Sequence, residues 1–273
     1  MGTGEELERL FLHWLIRMEG MGAVTVKRIG AFAGSYRNAY YIEGMELQKA
    51  GILKTEESCI RYDAWKKEFY PMEEEYYRLA EKGIRFITHL DPDYPSRLLS
   101  LYDFPAALYV KGDLPKEDEP AAAIIGAREC SAYGRQTAEH MAKELAEAGV
   151  TIISGLARGI DGAGHKGALD GGGKTFAVLG LRRKYLLIPG PITACILKLG
   201  NRADLISGVS PGYPGPLAPQ FPYEKPDHQR SFRRSLVIEA RKKSGSLITA
   251  QTGLDQGKDI YAVPGRITDS LSE

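Results

Sequence analysis

The sequence predicts an α/β protein with a mostly parallel sheet, preceded by a helical region. Two short, apolar, β-branched runs, at residues 121–125 and 150–153, are each followed by a Gly-rich turn. Strands that are buried on both faces of a parallel sheet have this uninterrupted apolar composition. Between the runs, four apolar residues recur at helical spacing, namely Ala138, Met141, Ala142 and Leu145. Strand, helix and strand therefore form one βαβ unit.

Composition limits the class of protein without deciding its function. The chain has 273 residues, of which 43% are hydrophobic, enough for one large domain and a small one. The formal net charge is only +1, so affinity for nucleic acid has to come from a local patch. We see neither a signal peptide nor a membrane-spanning apolar run, and Cys59, Cys130 and Cys195 are scattered. These features predict a protein of the reducing cytoplasm, without membrane attachment.

The first part of the chain, residues 5–77, is helical in period and rich in charged and aromatic residues. Gly20 and Gly22 precede an apolar helical pattern, which is typical of a helix-hairpin-helix unit. In one interpretation the glycine amides, helped by Lys27 and Arg28, touch a phosphate. In the other, the region is a scaffolding or protein-binding bundle, and we favour it because a single Gly-x-Gly turn is weak evidence.

The chain is expected to divide into three parts. Residues 1–80 form the helical domain and residues 81–120 a connecting segment. Pro-rich and acidic residues at 113–120 mark the start of the sheet domain, which covers 121–273.

The motif SGLARGID, at residues 154–161, joins the second strand to a helix. Gly155 and Gly159 lack a Cβ, so we expect the turn to adopt left-handed dihedrals and to let an anion approach its amides. Asp161 is expected to cap the helix, whose unpaired N–H groups also favour an anion. Arg158 adds a full positive charge. The sequence thus predicts a phosphate-binding turn, the alternative being an ordinary turn with a solvated arginine.

A second turn of the same kind follows the first strand. It contains Gly126 and Arg128, and SAYG at 131–134 leads into the helix that Gly149 ends. Because crossover connections are right-handed, both turns lie at the carboxyl edge of neighbouring parallel strands. Arg128 and Arg158 are therefore expected to face one crevice.

Further strands are expected at 175–179, 236–240 and 259–264, and Ser244 is expected to cap a helix between the last two.

Two later side chains are candidates for chemistry. His165 lies four residues after Asp161, on the same helical face. One carboxylate and one imidazole are too few for a metal site, and we favour a hydrogen-bonded pair lining the crevice over a catalytic role. Glu239, at the end of a strand, is either a catalytic carboxylate or a residue that only orients a loop.

Six motifs resemble, in order and spacing, the DNA processing protein A family, also called DprA or Smf. They are IIGAR at 124–128, SAYG at 131–134, SGLARGID with His165 from 154, AVLG at 177–180, SGSLITA at 244–250 and AVPG at 262–265. The resemblance covers residues 90–180 and 236–268 closely. It implies an extended Rossmann-like fold behind a small all-α domain of the helix-hairpin-helix or SAM-like kind.

The resemblance also implies a function without substrate turnover, cofactor or metal. Members bind single-stranded DNA, protect incoming DNA and load the RecA recombinase during natural transformation, and a homodimer through the sheet domain is expected. Residues implied to contact the DNA share one edge of the sheet: Gly126, Arg128, Ser131, Gly134, Ser154, Gly155, Arg158, Gly159, Asp161, His165, Ser244 and Ser246. Arginines and amides hold phosphates without reading base sequence.

An enzyme is the alternative from another class. Related Rossmann-like hydrolases cleave nucleotide N-glycosidic bonds, and Arg128 and Glu239 could take part in such a reaction. Their Pro-Gly-Gly-x-Gly-Thr motif before the glutamate is absent from this sequence. A dinucleotide-dependent oxidoreductase is less favoured still, because Gly-x-Gly-x-x-Gly with an acidic partner does not follow the first strand.

Residues 181–235 depart from the family and match no fold pattern. The family has a Cys-Gly-Val loop after Gly180 and an Arg-Asn-Arg-Ile-Ile-Ser-Gly-Leu-Ser motif before the strand at 236. Synonymous codons exist for 181–187 and 223–235 that restore both motifs when read one base later. We therefore hypothesise a frameshift, which leaves the crevice incomplete and this stretch poorly packed. By the same resemblance, a C-terminal extension such as a winged-helix domain is missing after Glu273.

Overall fold

The structure is a computed structural model that describes residues 4–99, 102–178, 203–207, 234–241, 244–255 and 257–265. The chain divides into two compact units. One comprises Met1–Tyr94 with Tyr102–Tyr109, and the other Pro95–Leu101 with Val110–Glu273. Residues of the predicted connecting segment occur in both units, and the three-part division stays a prediction.

The first unit begins with a bundle of helices, as predicted. Its elements are α1 (Gly4–Ile16), α2 (Ala23–Ala33), α3 (Tyr36–Tyr41), α4 (Gly44–Lys49), α5 (Glu56–Trp65), α6 (Phe69–Glu81) and β1 (Arg85–Thr88). Strand β2 (Ala107–Lys111) starts in this unit and ends in the next. Trp14 and Tyr62 are fully buried at the centre of the bundle. Packing around this apolar core stabilises helices that are individually too short to be stable in water.

The cations of α2 have partners within this unit. Lys27 donates to the carbonyl oxygens of Tyr102 and Phe104, both at 3.3 Å, and its ammonium lies 3.2 Å from the centroid of the Phe104 ring. Arg28 donates to the carbonyl oxygen of Gly51 at 3.1 Å. These contacts agree with a scaffolding role for the predicted helix-hairpin-helix unit.

The second unit is a parallel sheet with helices on both faces. Its strands are β3 (Ala121–Ile125), β4 (Thr151–Ser154), β5 (Thr175–Val178), β6 (Ala203–Ser207), β7 (Arg234–Val237) and β8 (Asp259–Ala262). Its helices are α7 (Ser96–Leu99), α8 (Ala132–Glu147), α9 (Ile160–Asp170) and α10 (Gly245–Asp255). The strand order is β6-β5-β4-β3-β7-β8, with parallel pairing throughout. The predicted α/β class is confirmed.

The side chains of adjacent residues in β3 point to opposite faces of the sheet, because side chains alternate along a strand. Ile124 packs in a core with Ala138 of α8 and Ala163 of α9. Ile125 packs in a separate core that includes Ala250 of α10. Gly149, with a φ of +81°, follows the end of α8 as predicted.

The direction in which strands are added reverses at β3. From β3 the chain adds β4, β5 and β6 in turn on one side, and then returns to add β7 and β8 on the other. In open parallel sheets the ligand crevice lies outside the carboxyl ends of the strands at such a switch point. Here the switch point is between β3 and β7.

Strand boundaries differ from the predictions where long-range pairing decides them. Strand β7 covers residues 234–237 instead of 236–240, although backbone hydrogen bonds continue past it, with Ile238 N–H donating to Ile125 at 3.1 Å. Strand β6 lies inside residues 181–235, the segment for which no fold was predicted, and it pairs with β5. Apart from β6 and the start of β7, the predicted frameshift segment lies outside the described residues.

In the part of the chain that the structure describes, no helix has the length and apolarity needed to cross a bilayer.

Candidate nucleic-acid interface

Three loops meet at the carboxyl edge of β4, β3 and β7. We call them the loop cluster: residues 126–131 after β3, 155–159 after β4 and 238–241 after β7. Ile160 N–H donates to the carbonyl oxygen of Ala127 at 3.2 Å, and Ala127 N–H donates to the carbonyl oxygen of Glu239 at 2.7 Å. The predicted proximity of the two Gly-rich turns is confirmed, and a third loop joins them.

Gly159 sets the distance between the first two loops. Its φ is +91°, in the region that favours glycine. A Cβ at this position would lie 2.5 Å from the carbonyl oxygen of Arg128 and closer still to that of Ala127. A side chain would therefore push the loops apart.

Asp161 holds the loop after β4 from inside. Helix α9 begins at Ile160 with Gly159 as its N-cap, so Asp161 does not cap the helix as predicted. Its carboxylate turns back and accepts hydrogen bonds from the N–H groups of Ala157, at 3.2 Å, and Gly155. Burial raises the pKa of Asp161 to about 6, against the effects of these bonds and of the charge on Arg128.

The amides of this loop therefore already have an acceptor. In this loop Leu156 adopts a left-handed conformation, with a φ of +58°, and its side chain is buried. Gly155 does not adopt the left-handed conformation that was predicted for it. A left-handed leucine is unfavourable by itself, so its burial and the bonds to Asp161 must hold it in place.

A second carboxylate, that of Glu239, occupies the N-terminus of α8. Ser131 is the N-cap of α8, and its Oγ accepts from Gly134 N–H at 2.9 Å. Glu239 is 3% exposed, and its carboxylate accepts from Ser131 N–H at 2.9 Å and from the Ser131 hydroxyl. A Cβ on Gly134 would lie 2.6 Å from both carboxylate oxygens, so glycine leaves the room that they occupy. In this position the Glu239 carboxylate holds the end of the loop after β3.

His165 does not line the crevice with Asp161 as predicted. It is fully buried, and its Nδ1 lies 2.6 Å from Oγ1 of Thr175, which itself donates to the carbonyl oxygen of Ile152 at 2.9 Å. Burial lowers the pKa of His165 to about 4, so the ring is neutral near pH 7. The face of α9 that carries His165 is turned toward the sheet, which explains the difference.

The predicted serines also have internal partners. The Ser154 hydroxyl donates to the carbonyl oxygen of Ile124 at 2.6 Å, and that of Ser246 donates to Gly126 at 2.7 Å. Ser244 caps α10 as predicted, with its Oγ accepting from Leu247 N–H at 3.4 Å. The first contact joins β4 to β3, the second joins α10 to the loop after β3, and the third caps α10.

Three exposed arginines carry the positive charge of the loop cluster: Arg128, Arg158 and Arg241. Each follows one of three adjacent strands, so they succeed one another along the edge of the sheet. Arg158 lies 3.7 Å from the carboxylate of Glu129, an exposed pair of the kind that contributes at most about 1 kcal/mol. Arg241 was missed in the sequence analysis, where its signal was the basic run at 241–243 directly after a strand.

The described residues contain no group of three or more His, Cys, Asp or Glu side chains arranged to hold a metal ion. In the loop cluster the carboxylate of Glu239 is bonded internally, whereas that of Glu129 is exposed beside Arg158.

Known proteins are similar to this chain in sequence and in fold. A profile of the DNA recombination-mediator protein A family matches residues 85–273. DNA processing protein DprA of Streptococcus pneumoniae is 38% identical over 184 residues, which are 67% of this chain and 64% of the relative. Protein Smf of Escherichia coli is 40% identical over 182 residues, 66% of this chain and 48% of the relative. The chain thus matches from slightly under half to about two thirds of the length of these relatives.

Solved structures agree with the sequence comparison. The X-ray structure of DprA from Streptococcus pneumoniae superposes with a TM-score of 0.70 and 27% identity, over 99% of this chain and 89% of that one. DNA processing protein A from Helicobacter pylori, solved for its single-stranded DNA binding mode, has a TM-score of 0.54 and 24% identity, over 68% of this chain and 84% of that one. The second likeness concerns the fold alone. The profile match over most of the chain shows that this protein belongs to the DNA recombination-mediator protein A family.

Proposed function

We propose that this protein binds single-stranded DNA, with the phosphate backbone lying along the loop cluster. The observation that carries the proposal is the row formed by Arg128, Arg158 and Arg241 on three adjacent strand ends. A guanidinium group can donate two parallel hydrogen bonds to one phosphate, and this contact does not depend on which base the nucleotide carries. Because the net charge is only +1, a local cluster of cations has to supply the attraction, and this row is one among the described residues.

The other predicted contact residues have a supporting role in this proposal. The Ser131, Ser154 and Ser246 hydroxyls and the Gly155 amide already have partners inside the protein. They keep the loops in shape, while Gly159 keeps two of them close together. The arginine side chains then reach the DNA from a rigid support.

Membership of the family supports a role as a recombination mediator. We propose that the protein protects incoming single strands and loads the RecA recombinase onto them during natural transformation. The location is then the cytoplasm, where a recombinase meets DNA, and the acting form is a homodimer through the sheet domain. Pull-down with RecA and mass measurement in solution test the partner and the homodimer.

We propose binding without chemical turnover. In the rival hydrolase, Glu239 would have to reach a nucleotide, but its carboxylate is buried and bonded to Ser131. We expect no release of free base when nucleotides are incubated with the protein. Base release that is abolished in Glu239→Gln would favour the hydrolase.

The test of DNA binding is a titration of a labelled oligothymidine, followed by fluorescence anisotropy at several salt concentrations. Removal of Arg128, Arg158 or Arg241, each by substitution with alanine, is expected to weaken binding and to lower the salt dependence. The slope of log Kobs against log salt should fall in magnitude by about 0.7 for each phosphate that the variant no longer neutralises. Lys143→Ala, an exposed change near the other end of α8, is the control. Unchanged binding in all three arginine variants would exclude the loop cluster as the site.

A further inference from the structure

The switch point between β3 and β7 is where an open parallel sheet ordinarily receives a phosphate. The loop after the first strand ends at a helix N-terminus, whose free N–H groups and dipole attract an anion. In this protein that helix is α8, which has 16 residues. Its terminus already holds an anion, the carboxylate of Glu239.

We propose that Glu239 is a built-in anion that closes the N-terminus of α8 to ligand phosphates. The crevice then selects an extended phosphodiester backbone on its arginine row and rejects the terminal phosphate of a nucleotide. The selectivity rests on the proposed DNA binding, whereas closure of the helix terminus does not.

The position of Glu239 is fixed at both its side chain and its backbone. The carboxylate accepts from the N–H and the hydroxyl of Ser131, 108 residues away in sequence, at the first turn of α8. The carbonyl oxygen of the same residue accepts from Ala127 N–H at 2.7 Å. Glu239 thus connects the loop after β7 to the start and the end of the loop after β3.

The space at the helix terminus is shaped for this carboxylate. Gly134 lies in the first turn of α8, where any Cβ would meet both Glu239 oxygens at 2.6 Å. Burial excludes water from the contact, since Glu239 is almost fully buried. A ligand phosphate would have to displace a charge that is already desolvated and hydrogen-bonded.

The neighbouring loop is closed in the same way. Asp161 takes the N–H groups of Gly155 and Ala157, which would otherwise point at a phosphate. Both inward-facing anion sites of the two Gly-rich turns are therefore filled by the protein itself. Within the described loops of the cluster, the exposed arginine row remains for an external phosphate, and a backbone lying across three strand ends can follow it.

The test is anion rescue of Glu239→Ala, which removes the internal anion and leaves space for an external one. Thermal unfolding is measured at pH 7.5 in sodium chloride, sodium phosphate and sodium acetate at matched ionic strength. We expect the variant to unfold about 5 °C or more below the wild type in chloride, because it lacks the buried charged hydrogen bonds. Phosphate or acetate should then restore roughly 3 °C in a saturable manner.

Wild-type protein and Glu144→Ala, which changes an exposed carboxylate in the last turn of α8, are the controls. Both keep the arginine row, so any stabilisation by phosphate bound there, together with its weak general salt effect, is subtracted from the response of Glu239→Ala. The proposal is overturned if Glu239→Ala gains no more from either anion than the controls do.

Glu239→Gln covers the case in which the alanine variant does not fold. It keeps the size and an acceptor oxygen but removes the charge, so we expect a lower unfolding temperature and no anion rescue. A glutamine variant as stable as the wild type would show that the charge is not used and would contradict the proposal.

Selectivity is tested separately with the wild-type protein bound to labelled oligothymidine. We expect equal affinity for the oligonucleotide with and without a 5′-phosphate, and no displacement by millimolar dAMP. Tighter binding of the phosphorylated oligonucleotide, or competition by dAMP, would overturn the selectivity. If the oligonucleotide does not bind at all, the proposed function fails while the anion rescue still decides the role of Glu239.

Discussion

Gly159 and Asp161 show how single residues fix the loop after β4. Gly159 allows two backbones to approach within a distance that no side chain permits, and Asp161 gathers the loop amides around a buried carboxylate. Neither residue needs to touch DNA in order to matter for the proposed binding. Each acts by holding Arg158 on a loop of defined shape, which is the usual division of labour between a site and its support.

Gly159→Ala is expected to destabilise the second unit by about 2 kcal/mol or more and to weaken DNA binding. The cost combines a left-handed φ with a clash against the carbonyl oxygens of Ala127 and Arg128. Gly172→Ala is a matched control, because Gly172 has a φ of +71° and open space around its Cα. Urea unfolding of the two variants separates the two causes, and an equal loss of stability in both would show that the close approach at Gly159 carries no cost.

Asp161→Asn is expected to change the pH dependence of stability. Because the folded pKa, about 6, is above the ordinary 3.8, the carboxyl stabilises the fold when protonated, and this stability is lost as the pH rises through 6. Relative to the wild type, the variant should gain ~2 kcal/mol of unfolding free energy between pH 4.5 and 7.5. Urea unfolding at both pH values measures the difference, in which the titration of His165 cancels. If the unfolding free energies of the two proteins change equally with pH, the raised pKa of Asp161 is contradicted.

At the scale of elements, the loops after β3 and β4 act as a pair. Their backbones are joined by the bond from Ile160 to Ala127, and their exposed side chains by the pair of Arg158 with Glu129. The backbone hydrogen bond is buried and fixes the position of the two loops relative to each other. The second is exposed and weak, so a phosphate can replace Glu129 as the partner of Arg158 at small cost.

Glu129→Gln is expected to tighten the binding of single-stranded DNA by up to about fivefold at low salt, because Arg158 is released and a repelling charge is removed. The gain should shrink as salt screens the surface. Anisotropy titrations at low and high salt measure it, with Glu144→Gln, which removes an exposed carboxylate from the last turn of α8, as the control. Equal affinity of Glu129→Gln and the wild type at low salt would show that neither the charge of Glu129 nor its pairing with Arg158 affects DNA binding.

For the whole molecule, the order of the strands matters more than the overall charge. A balance of 36 basic and 35 acidic residues gives no long-range attraction for DNA. The return of the chain to place β7 beside β3 brings Arg241 into line with Arg128 and Arg158. The proposed binding surface is therefore made from segments that are far apart in the chain.

The hypothesis of a frameshift also concerns the whole chain. We expect resequencing of the gene to show a reading frame between 181 and 235 that encodes Cys-Gly-Val after Gly180 and Arg-Asn-Arg-Ile-Ile-Ser-Gly-Leu-Ser before Leu236. The reason is that shifts of one base restore two family motifs in their expected places. An intact gene, together with peptide masses that match residues 223–235 as written, would reject it.

Sequence reasoning succeeded where the signal is local. The β-branched runs before Gly126 and Gly155 predicted parallel strands, and the handedness of crossovers placed their turns side by side. It failed where a side chain has a choice of partners, as for Asp161 and His165. Their spacing on one helical face is real, but burial directs the first to loop amides and the second to Thr175.

The sequence by itself determined the α/β class, the family and the two arginine-bearing turns, because periodicity and turn residues act over a few positions. Only the tertiary structure decided that Glu239 fills the N-terminus of α8 and that Arg241 joins the arginine row. Both depend on β7 pairing with β3, a contact set by packing on the two faces of the sheet. No pattern of neighbouring residues encodes that pairing. Both the entropy lost in closing the loop between the two strands and the free energy gained by packing them arise between segments distant in the chain.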